Sequence, residues 1–411
     1  MQKHFLPLLI VALTFTSTPQ SVSSQTTTPA AAQTSQRSLK LARSFEAQSE
    51  ITATDISRDG KTLVTASKGD IQVWNLDTGE VKTHSLLDSQ YAKIKAIAIS
   101  PDQQTIITGS SGLDVTTQSN SSGCTSNSGT GSFSWSCNLG SSSTQTIKST
   151  SGSAIQIWEL STGRNIITLE SSDSSGLGFG GFGSVDFLRF SDDGNILITS
   201  QMVVNSCQTK FRDLKTGKVI SQLNSKASLR SETGASCNQT LAINPRESRQ
   251  VVYASSLSIH NIGSNDEPKN LSLQSKGNKL EPDESLVGTI LGSLGGYIVF
   301  SPDSKNIAVS ARNNLFVWQP EVNSFPQYKF IDEKSRNSNI NTLSFSPDSQ
   351  YLVFGDEDGR ISIWDFKNSK QLNRTIAHSR QLIKFLGFSP NGKTLVSVGG
   401  SDRTIKIWEV N

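Results

Sequence analysis

Histidine and cysteine are scarce in this sequence. There are four of each among 411 residues, one histidine stands at position 4, and no two cysteines form a Cys-x-x-Cys pair. That supply gives a zinc centre little to be built from, and no metal or cofactor is expected. Long apolar runs are missing too. Phe5 to Phe15 is an apolar stretch of 11 residues, whereas a membrane-spanning helix needs about 20, so no integral span is expected. Charge is sparse: 18% of residues are charged, and 38 basic against 35 acidic side chains leave a net +3. No dense Lys/Arg run occurs, which removes compositional support for nucleic-acid binding.

What is present is small and polar. Ser, Thr, Asn and Gly fill the space around a 34% hydrophobic fraction, a balance that suits short strands joined by polar turns. The first residues read as an export signal. Lys3 and His4 precede the apolar stretch, and small residues such as Val22-Ser23-Ser24 follow it. The expected division is a signal over 1–24, a flexible Ser/Thr/Gln/Ala spacer over 25–37 and one folded unit over 38–411, with the product in a periplasm or outside the cell. In that setting an even number of cysteines (Cys124, Cys137, Cys207, Cys237) favours disulfides, in any of three pairings.

The decisive signal is a repeat. A large apolar residue followed by a Ser-Pro-Asp-type turn recurs as Ile56-Ser57-Arg58-Asp59, Ile99-Ser100-Pro101-Asp102, Phe190-Ser191-Asp192-Asp193, Ile243-Asn244-Pro245-Arg246, Phe300-Ser301-Pro302-Asp303, Phe345-Ser346-Pro347-Asp348 and Phe388-Ser389-Pro390-Asn391. The steps between the Ser-equivalent positions are 43, 91, 53, 57, 45 and 43 residues. The short ones match the 40–45 residues of a four-stranded propeller blade. Each turn is followed by a strand ending in an aromatic or its substitute: Trp74, Trp158, Phe211, His260, Trp318, Trp364 and Trp408. Apolar residues one and three places earlier, such as Ile361 and Ile363, give the period of two that marks a strand. Trp on the opposite face implies burial on both sides.

Turn, strand and Trp together resemble the WD-repeat family. The literal Trp-Asp pair occurs at Trp364-Asp365. The family's structural tetrad of His, Ser/Thr, Asp and Trp matches best in the last repeat as His378, Ser397, Asp402 and Trp408, while the sixth keeps Asp358 and Trp364 and the third and fourth are degenerate. The resemblance covers about 38–411 and implies an all-β, seven-bladed propeller of four-stranded antiparallel blades. The last repeat stops after its third strand, so Ser38 to Glu46 is expected to complete it and close the ring. A Tol-type periplasmic propeller shares a similar turn, but the Ile-x-Ile-Trp endings favour the WD-repeat form.

On that architecture the irregular segments fall on one face. An insertion at about 111–153 sits between the second and third strands of the second blade. Ser171–Ser184 and Gln274–Gly296 join one blade to the next, Cys207 lies near a second-to-third-strand connection, and Cys237 lies in a blade-to-blade connection. The map implies the pairings Cys124–Cys137 and Cys207–Cys237. Long elaborations on a rigid scaffold point to recognition, and Phe133 and Trp135, between Cys124 and Cys137, are candidate partner-binding residues because aromatic anchors dominate interfaces.

Three chemical-looking motifs read as structural. Gly387 to Thr394 fits G-x-x-x-x-G-K-T but coincides with a repeat turn rather than a strand-to-helix junction. Gly176, Gly178 and Gly181 fit G-x-G-x-x-G without a βαβ unit. Gly355 to Gly359 lacks the ligand ladder of an EF-hand. His84, His260 and His378 are dispersed over different repeats. The expected function is therefore a monomeric, exported, non-enzymatic scaffold for protein or peptide partners. The alternatives are a hydrolase or lyase, or a glycan-binding module, at the mouth of the central channel.

Overall fold

The computed structural model describes residues 37–67, 69–85, 93–111, 124–129, 132–139, 143–149, 152–173, 185–203, 206–226, 228–230, 234–237, 241–253, 258–264, 266–270, 297–311, 313–320, 326–331, 338–368 and 370–411. The expected signal and all but the last residue of the spacer lie outside them. All regular structure in the described residues is β, and seven four-stranded antiparallel sheets are arranged as a propeller.

From the innermost strand outward, blade 1 is Ala53–Ile56, Thr62–Ser67, Asp70–Asn75 and Val81–Ser85, and blade 2 is Lys93–Ile99, Thr105–Ser111, Gly152–Glu159 and Asn165–Asp173. Blade 3 is Val185–Phe190, Ile196–Val203, Ser206–Asp213 and Val219–Lys226, and blade 4 is Leu241–Ile243, Gln250–Tyr253, Ser258–Asn261 and Lys269–Asn270. Blade 5 is Ile298–Phe300, Ile307–Ala311, Asn314–Trp318 and Pro326–Ile331, and blade 6 is Ile340–Phe345, Leu352–Asp356, Arg360–Asp365 and Lys370–Ile376. Blade 7 is Ile383–Phe388, Thr394–Gly399 and Thr404–Val410, completed on its outer edge by Leu39–Glu46.

Burial explains the double-sided apolar pattern. Along Thr62–Ser67, Leu63 packs with Val396 and Ile405 of blade 7, while the next residue, Val64, packs with Ile97 and Ile106 of blade 2. Seven apolar clusters result, one for every pair of neighbouring blades, the pair of blades 7 and 1 included. Inner strands such as Thr62–Ser67 thus feed two interfaces, and the ring has no place to end.

The turns after the innermost strands share one hydrogen-bonding pattern and touch one another between blades. In blade 1 the Ser57 hydroxyl donates to Asp59 Oδ1 at 2.6 Å and accepts from the Thr62 N–H at 2.9 Å. The same pair of contacts recurs at Ser100, Ser191, Ser301, Ser346 and Ser389. These turns also interlock around the ring. Gly60 of blade 1 lies so close to Pro390 of blade 7 that a Cβ would come within 2.6 Å of Pro390 Cδ. Arg58 of blade 1 donates to the Asp192 carbonyl of blade 3, the Ser248 hydroxyl of blade 4 donates to Asp193 Oδ2 at 3.0 Å, and Asp303 N–H of blade 5 donates to Ser349 Oγ of blade 6 at 3.1 Å. An insertion in one turn would break its neighbour's contact. Packing therefore supplies its own reason why this face stays short and the opposite face carries the insertions.

The insertion of blade 2 is more ordered in backbone than a loop. Cys124–Gly129, Ser132–Leu139 and Ser143–Ser149 pair as a separate three-stranded antiparallel sheet. A second small hairpin, Ser228–Arg230 with Gly234–Ser236, stands in the connection from blade 3 to blade 4.

Candidate functional site

The candidate site is the mouth of the channel on the face that carries these insertions. It is built by a recurrent defect. Each innermost strand enters from this face, and in four blades its pairing slips near its start: between Ile94 and Ala96, Val185 and Phe187, Ile340 and Thr342, and Ile383 and Phe385. A β-bulge leaves one residue out of the ladder and re-aims its side chain. The residues left out are Lys95, Asp186, Asn341 and Lys384, each five positions before the turn Ser.

The freed side chains reach the segment that enters the next blade. Lys384 Nζ donates to the Ile51 carbonyl at 2.7 Å and lies 3.6 Å from Glu50 Oε1. Asp186 Oδ2 accepts from the Cys237 N–H at 3.1 Å. Asn341 is buried, and its Nδ2 has no hydrogen-bond partner among the described residues. The Lys384 ammonium is held below the usual lysine range, first by burial and then by Lys93 and Lys95 nearby, while Glu50 pulls it back up. Lys93 is exposed and Lys95 half-buried.

Cys207 of blade 3 and Cys237, in the segment entering blade 4, are joined by a disulfide with Cα atoms 5.5 Å apart across a separation of 30 residues. Both are buried. A loop of that length stabilises by roughly 3–4 kcal/mol in the chain-entropy model. The backbone sets Cys124 directly opposite Cys137, whereas their side chains, like those of Phe133 and Trp135, lie outside the described residues. Phe133 and Trp135 occupy the middle strand of the three-stranded sheet, opposite Ser149 and Ile147.

His378, Ser397, Asp402 and Trp408 meet in one chain of hydrogen bonds. His378 Nδ1 contacts Asp402 Oδ2 at 2.7 Å, His378 Nε2 contacts Ser397 Oγ at 2.9 Å, and Trp408 Nε1 donates to Ser397 Oγ at 2.9 Å. Burial raises the Asp402 carboxyl, but the His378 and Thr404 donors outweigh it and bring it down to about 2. Serine, histidine and carboxylate stand here in the order of a hydrolytic triad, yet no reaction can use them. Ser397 and His378 are both fully buried, and the Trp408 indole occupies the hydroxyl a substrate would have to meet. The group is a strut between the second and third strands of blade 7 and its entry loop.

Partial copies appear elsewhere. Trp74 Nε1 donates to Thr65 Oγ1 at 3.0 Å and Trp158 Nε1 to Thr108 Oγ1 at 2.9 Å. In blade 5 the hydroxyl position holds Val309, and the fully buried Trp318 Nε1 has no hydrogen-bond partner among the described residues. Val309→Thr keeps the shape and supplies the acceptor, so it is expected to raise stability by about 1 kcal/mol in urea unfolding. An unchanged or lower midpoint would contradict this. The degenerate repeats are filled differently. Phe211 is fully buried in the Trp position of blade 3, and His260 of blade 4 packs edge-on to Tyr253 at 5.3 Å with its Nε2 2.7 Å from Ser258 Oγ.

Inside the ring, Asp55 of blade 1 accepts from the Ile99 N–H of blade 2 at 2.7 Å. Burial pushes its carboxyl up to about 6 from 3.8, against the opposing pull of that N–H and of Arg189. A carboxyl raised in the folded state stabilises below its unfolded value and loses that contribution as pH climbs through the folded one. Asp55→Asn keeps an acceptor for Ile99 and carries no charge. Its stability relative to the parent is expected to rise from pH 4 through pH 6 by roughly 1–2 kcal/mol and to level off above about pH 7. Urea midpoints at pH 4, 6 and 8 check it, and a constant difference would contradict it.

The remaining motifs are accounted for. Gly387 and Phe388 end an inner strand, and Ser389 to Thr394 form its turn, with Gly392 N–H on the Ser389 carbonyl at 2.8 Å. Asp358 pairs with Arg360 in the turn between the second and third strands of blade 6. Gly176, Gly178 and Gly181 lie outside the described residues. No cluster of three potential metal ligands occurs among the described residues, and His84, His260 and His378 sit on blades 1, 4 and 7. The bulge lysines are what the sequence reading missed. Their signal, a polar residue five places before the turn Ser in blades 2, 3, 6 and 7, was present but hidden inside strands that otherwise alternate regularly.

Comparison with known proteins agrees with this geometry. The WD domain, G-beta repeat model matches residues 39–75, 327–365 and 369–409. Each matched unit begins with the outer strand of one blade and ends with the third strand of the next, which is the offset that locks the ring. An uncharacterized WD repeat-containing protein of Synechocystis is 30% identical over 109 residues, 26% of this chain and 30% of that protein. Elongator complex protein 2 of Saccharomyces cerevisiae is 33% identical over 110 residues, 26% of this chain and 13% of that protein. Human pre-mRNA-processing factor 17 is 36% identical over 67 residues, 16% of this chain and 11% of that protein. The chain thus spans less than a third of the length of each of these relatives.

Proposed function

We infer that this chain, a β-propeller built from WD repeats, is an interaction scaffold that takes protein or peptide partners on the face bearing its long connections. The observation that carries this reading is the contrast between the two faces. One carries short turns that contact one another between blades, and the other holds a separate three-stranded sheet, a hairpin and the Cys207–Cys237 bridge. Two relatives bear names consistent with such work, one as a complex protein and one as a processing factor. A catalytic reading has less to rest on, since the one Ser–His–Asp arrangement among the described residues is sealed inside blade 7. Work outside the cytoplasm, in a periplasm or beyond, is part of the proposal. It is supported by the apolar stretch Phe5 to Phe15 and by a buried disulfide of the kind oxidising compartments maintain.

The test removes Gly112 to Gly152, bridges the gap with a short Gly/Ser turn, and compares crosslinking pull-downs with the full ring. Loss of specific partners at an unchanged melting temperature is the expected result. An identical partner set from both proteins would take the insertion out of the account.

A further inference from the structure

The three-stranded sheet in the insertion of blade 2 differs from the blades at its edges. The outermost strand of a blade is an open edge, and its unpaired N–H and C=O groups invite a further strand unless something blunts it. In blades 2, 3, 5, 6 and 7 that strand carries an extra residue that breaks its register, such as Ile166 in blade 2 and Leu372 in blade 6. The two outer strands without a break are short: Val81–Ser85 has 5 residues and Lys269–Asn270 has 2. Ser143–Ser149 has neither protection. Its 7 residues pair one for one with the middle strand, from Ser143 opposite Leu139 to Ser149 opposite Phe133, with no bulge and no proline. Its other edge has no strand beside it among the described residues. Its charge is confined to Lys148, next to its end.

Such an edge selects its occupant by chemistry. Backbone donors and acceptors that alternate along an extended line are matched in full by another extended backbone. Register across the sheet then says which residues that strand would bring. Thr146 stands opposite Ser136, and Ser136 opposite Thr125, a row of three hydroxyl residues. The next row is Ile147, Trp135 and Ser126. A fourth strand adds one member to each row. Hydroxyl residues pair well with hydroxyl residues across strands, and β-branched residues with β-branched or aromatic ones. Thr or Ser therefore suits the place beside Thr146, and a β-branched or aromatic residue the place beside Ile147. Charged residues find no counterpart in these two rows.

We propose that Ser143–Ser149 takes an uncharged, extended segment of a partner polypeptide as a fourth strand of this sheet, a segment that alternates hydroxyl-bearing with β-branched or aromatic residues. The proposal rests on the reading that partners dock on the elaborated face, and it adds how they are held. Main-chain hydrogen bonds supply the affinity, and the side-chain rows set the register.

The measurement is fluorescence anisotropy of a labelled Thr-Val-Thr-Val-Thr-Val-Thr peptide with the full-length protein, beside the same peptide N-methylated throughout, which has no main-chain donors. The first peptide is expected to bind with an affinity that holds between about 50 and 300 mM salt, since no charge pair is involved. The N-methylated peptide should bind at least tenfold more weakly, and the protein lacking Gly112 to Gly152 should bind neither. Successive N–H groups of a strand point to opposite edges, so one of the single variants Gln145→Pro and Thr146→Pro removes an outward donor. That variant is expected to keep amide-exchange protection in Ser132–Leu139 and to lose the peptide. Equal binding of the N-methylated peptide, or unchanged affinity in both proline variants, would overturn the proposal. So would a full-length protein that runs as a dimer until the proline is introduced, because the edge would then belong to a second copy. If pull-down partners need the insertion but survive both prolines, the docking face stands and the strand edge falls. If they do not need the insertion, it leaves the account and the edge falls with it.

Discussion

A protein that starts at Ala47 is expected to unfold at a clearly lower urea concentration than the full ring and to associate with itself. Leu39–Glu46 supplies the outer edge of blade 7, in register from Leu39 opposite Val410 to Glu46 opposite Thr404. The seam is fastened again at its end, where Ser38 and Asn411 exchange backbone hydrogen bonds of 3.1 Å. Leu39 packs into the cluster between blades 6 and 7, and Phe45 into that between blades 7 and 1, where its ring lies 6.0 Å from Trp74. Gly79, in a turn of blade 1, comes so close that a Cβ there would be 2.9 Å from the Phe45 ring. The outer strand of the last blade is therefore gripped by the first. Losing two half-buried apolar side chains and a full ladder costs about 3–5 kcal/mol, a large share of the 5–15 kcal/mol that holds typical domains folded. It also bares the edge of Thr404–Val410, whose sequence T-I-K-I-W-E-V is strongly strand-forming. Urea unfolding and size-exclusion chromatography check both halves. An unchanged midpoint with a monomeric profile would mean that the strand does not close the ring.

A comparable loss is expected from Gly359→Ala. Gly359 has φ of 76°, and its carbonyl accepts the N–H groups of Ala377 and His378 at 2.8 and 2.9 Å. A Cβ at this site would fall on the His378 carbonyl oxygen. The two backbones touch because the turn of blade 6 is pressed against the entry loop of blade 7, the loop that carries His378 into its contacts with Asp402 and Ser397. The substitution must either move that loop or distort the turn, at a cost of about 4 kcal/mol or more. Gly217 is the control. Its φ is 68°, but nothing lies within 4 Å of a Cβ there. Gly217→Asn should cost under about 1 kcal/mol, since Asn tolerates this backbone region. Equal losses at both sites would show that backbone conformation, and not the blade-to-blade contact, sets the penalty at Gly359.

The sequence could be read wherever the cause of a feature is local. The Ser-x-Asp turn is visible because Ser57 and Asp59 bond within five residues of each other. The strands ending in Trp are visible because their period of two is written in adjacent positions. Closure by residues 38–46 followed from the missing fourth strand of the last repeat. The features that escaped are set by partners distant in the chain. Lys95 and Lys384 look like ordinary strand residues until the register with the neighbouring strand slips past them. The collar of turns depends on pairs such as Gly60 with Pro390, and it changes the meaning of the one-sided insertions. The bare face is held short by packing, so the weight of the functional reading shifts to what the elaborated face presents. The sheet inside the insertion escaped for another reason: Ser, Thr, Gly and Asn dominate it, and apolar periodicity has almost nothing to act on there.

The most direct test of the two-faced account uses a photoreactive benzoylphenylalanine at one position at a time in the otherwise intact protein. Lys93 marks the mouth on the elaborated face, and Lys305, in the first turn of blade 5, marks the opposite one. Irradiation in the extract or medium of the producing cell is expected to give discrete adducts from position 93 and none from position 305. Adducts from position 305 at equal or higher yield would place the partner on the face of short turns and contradict the account.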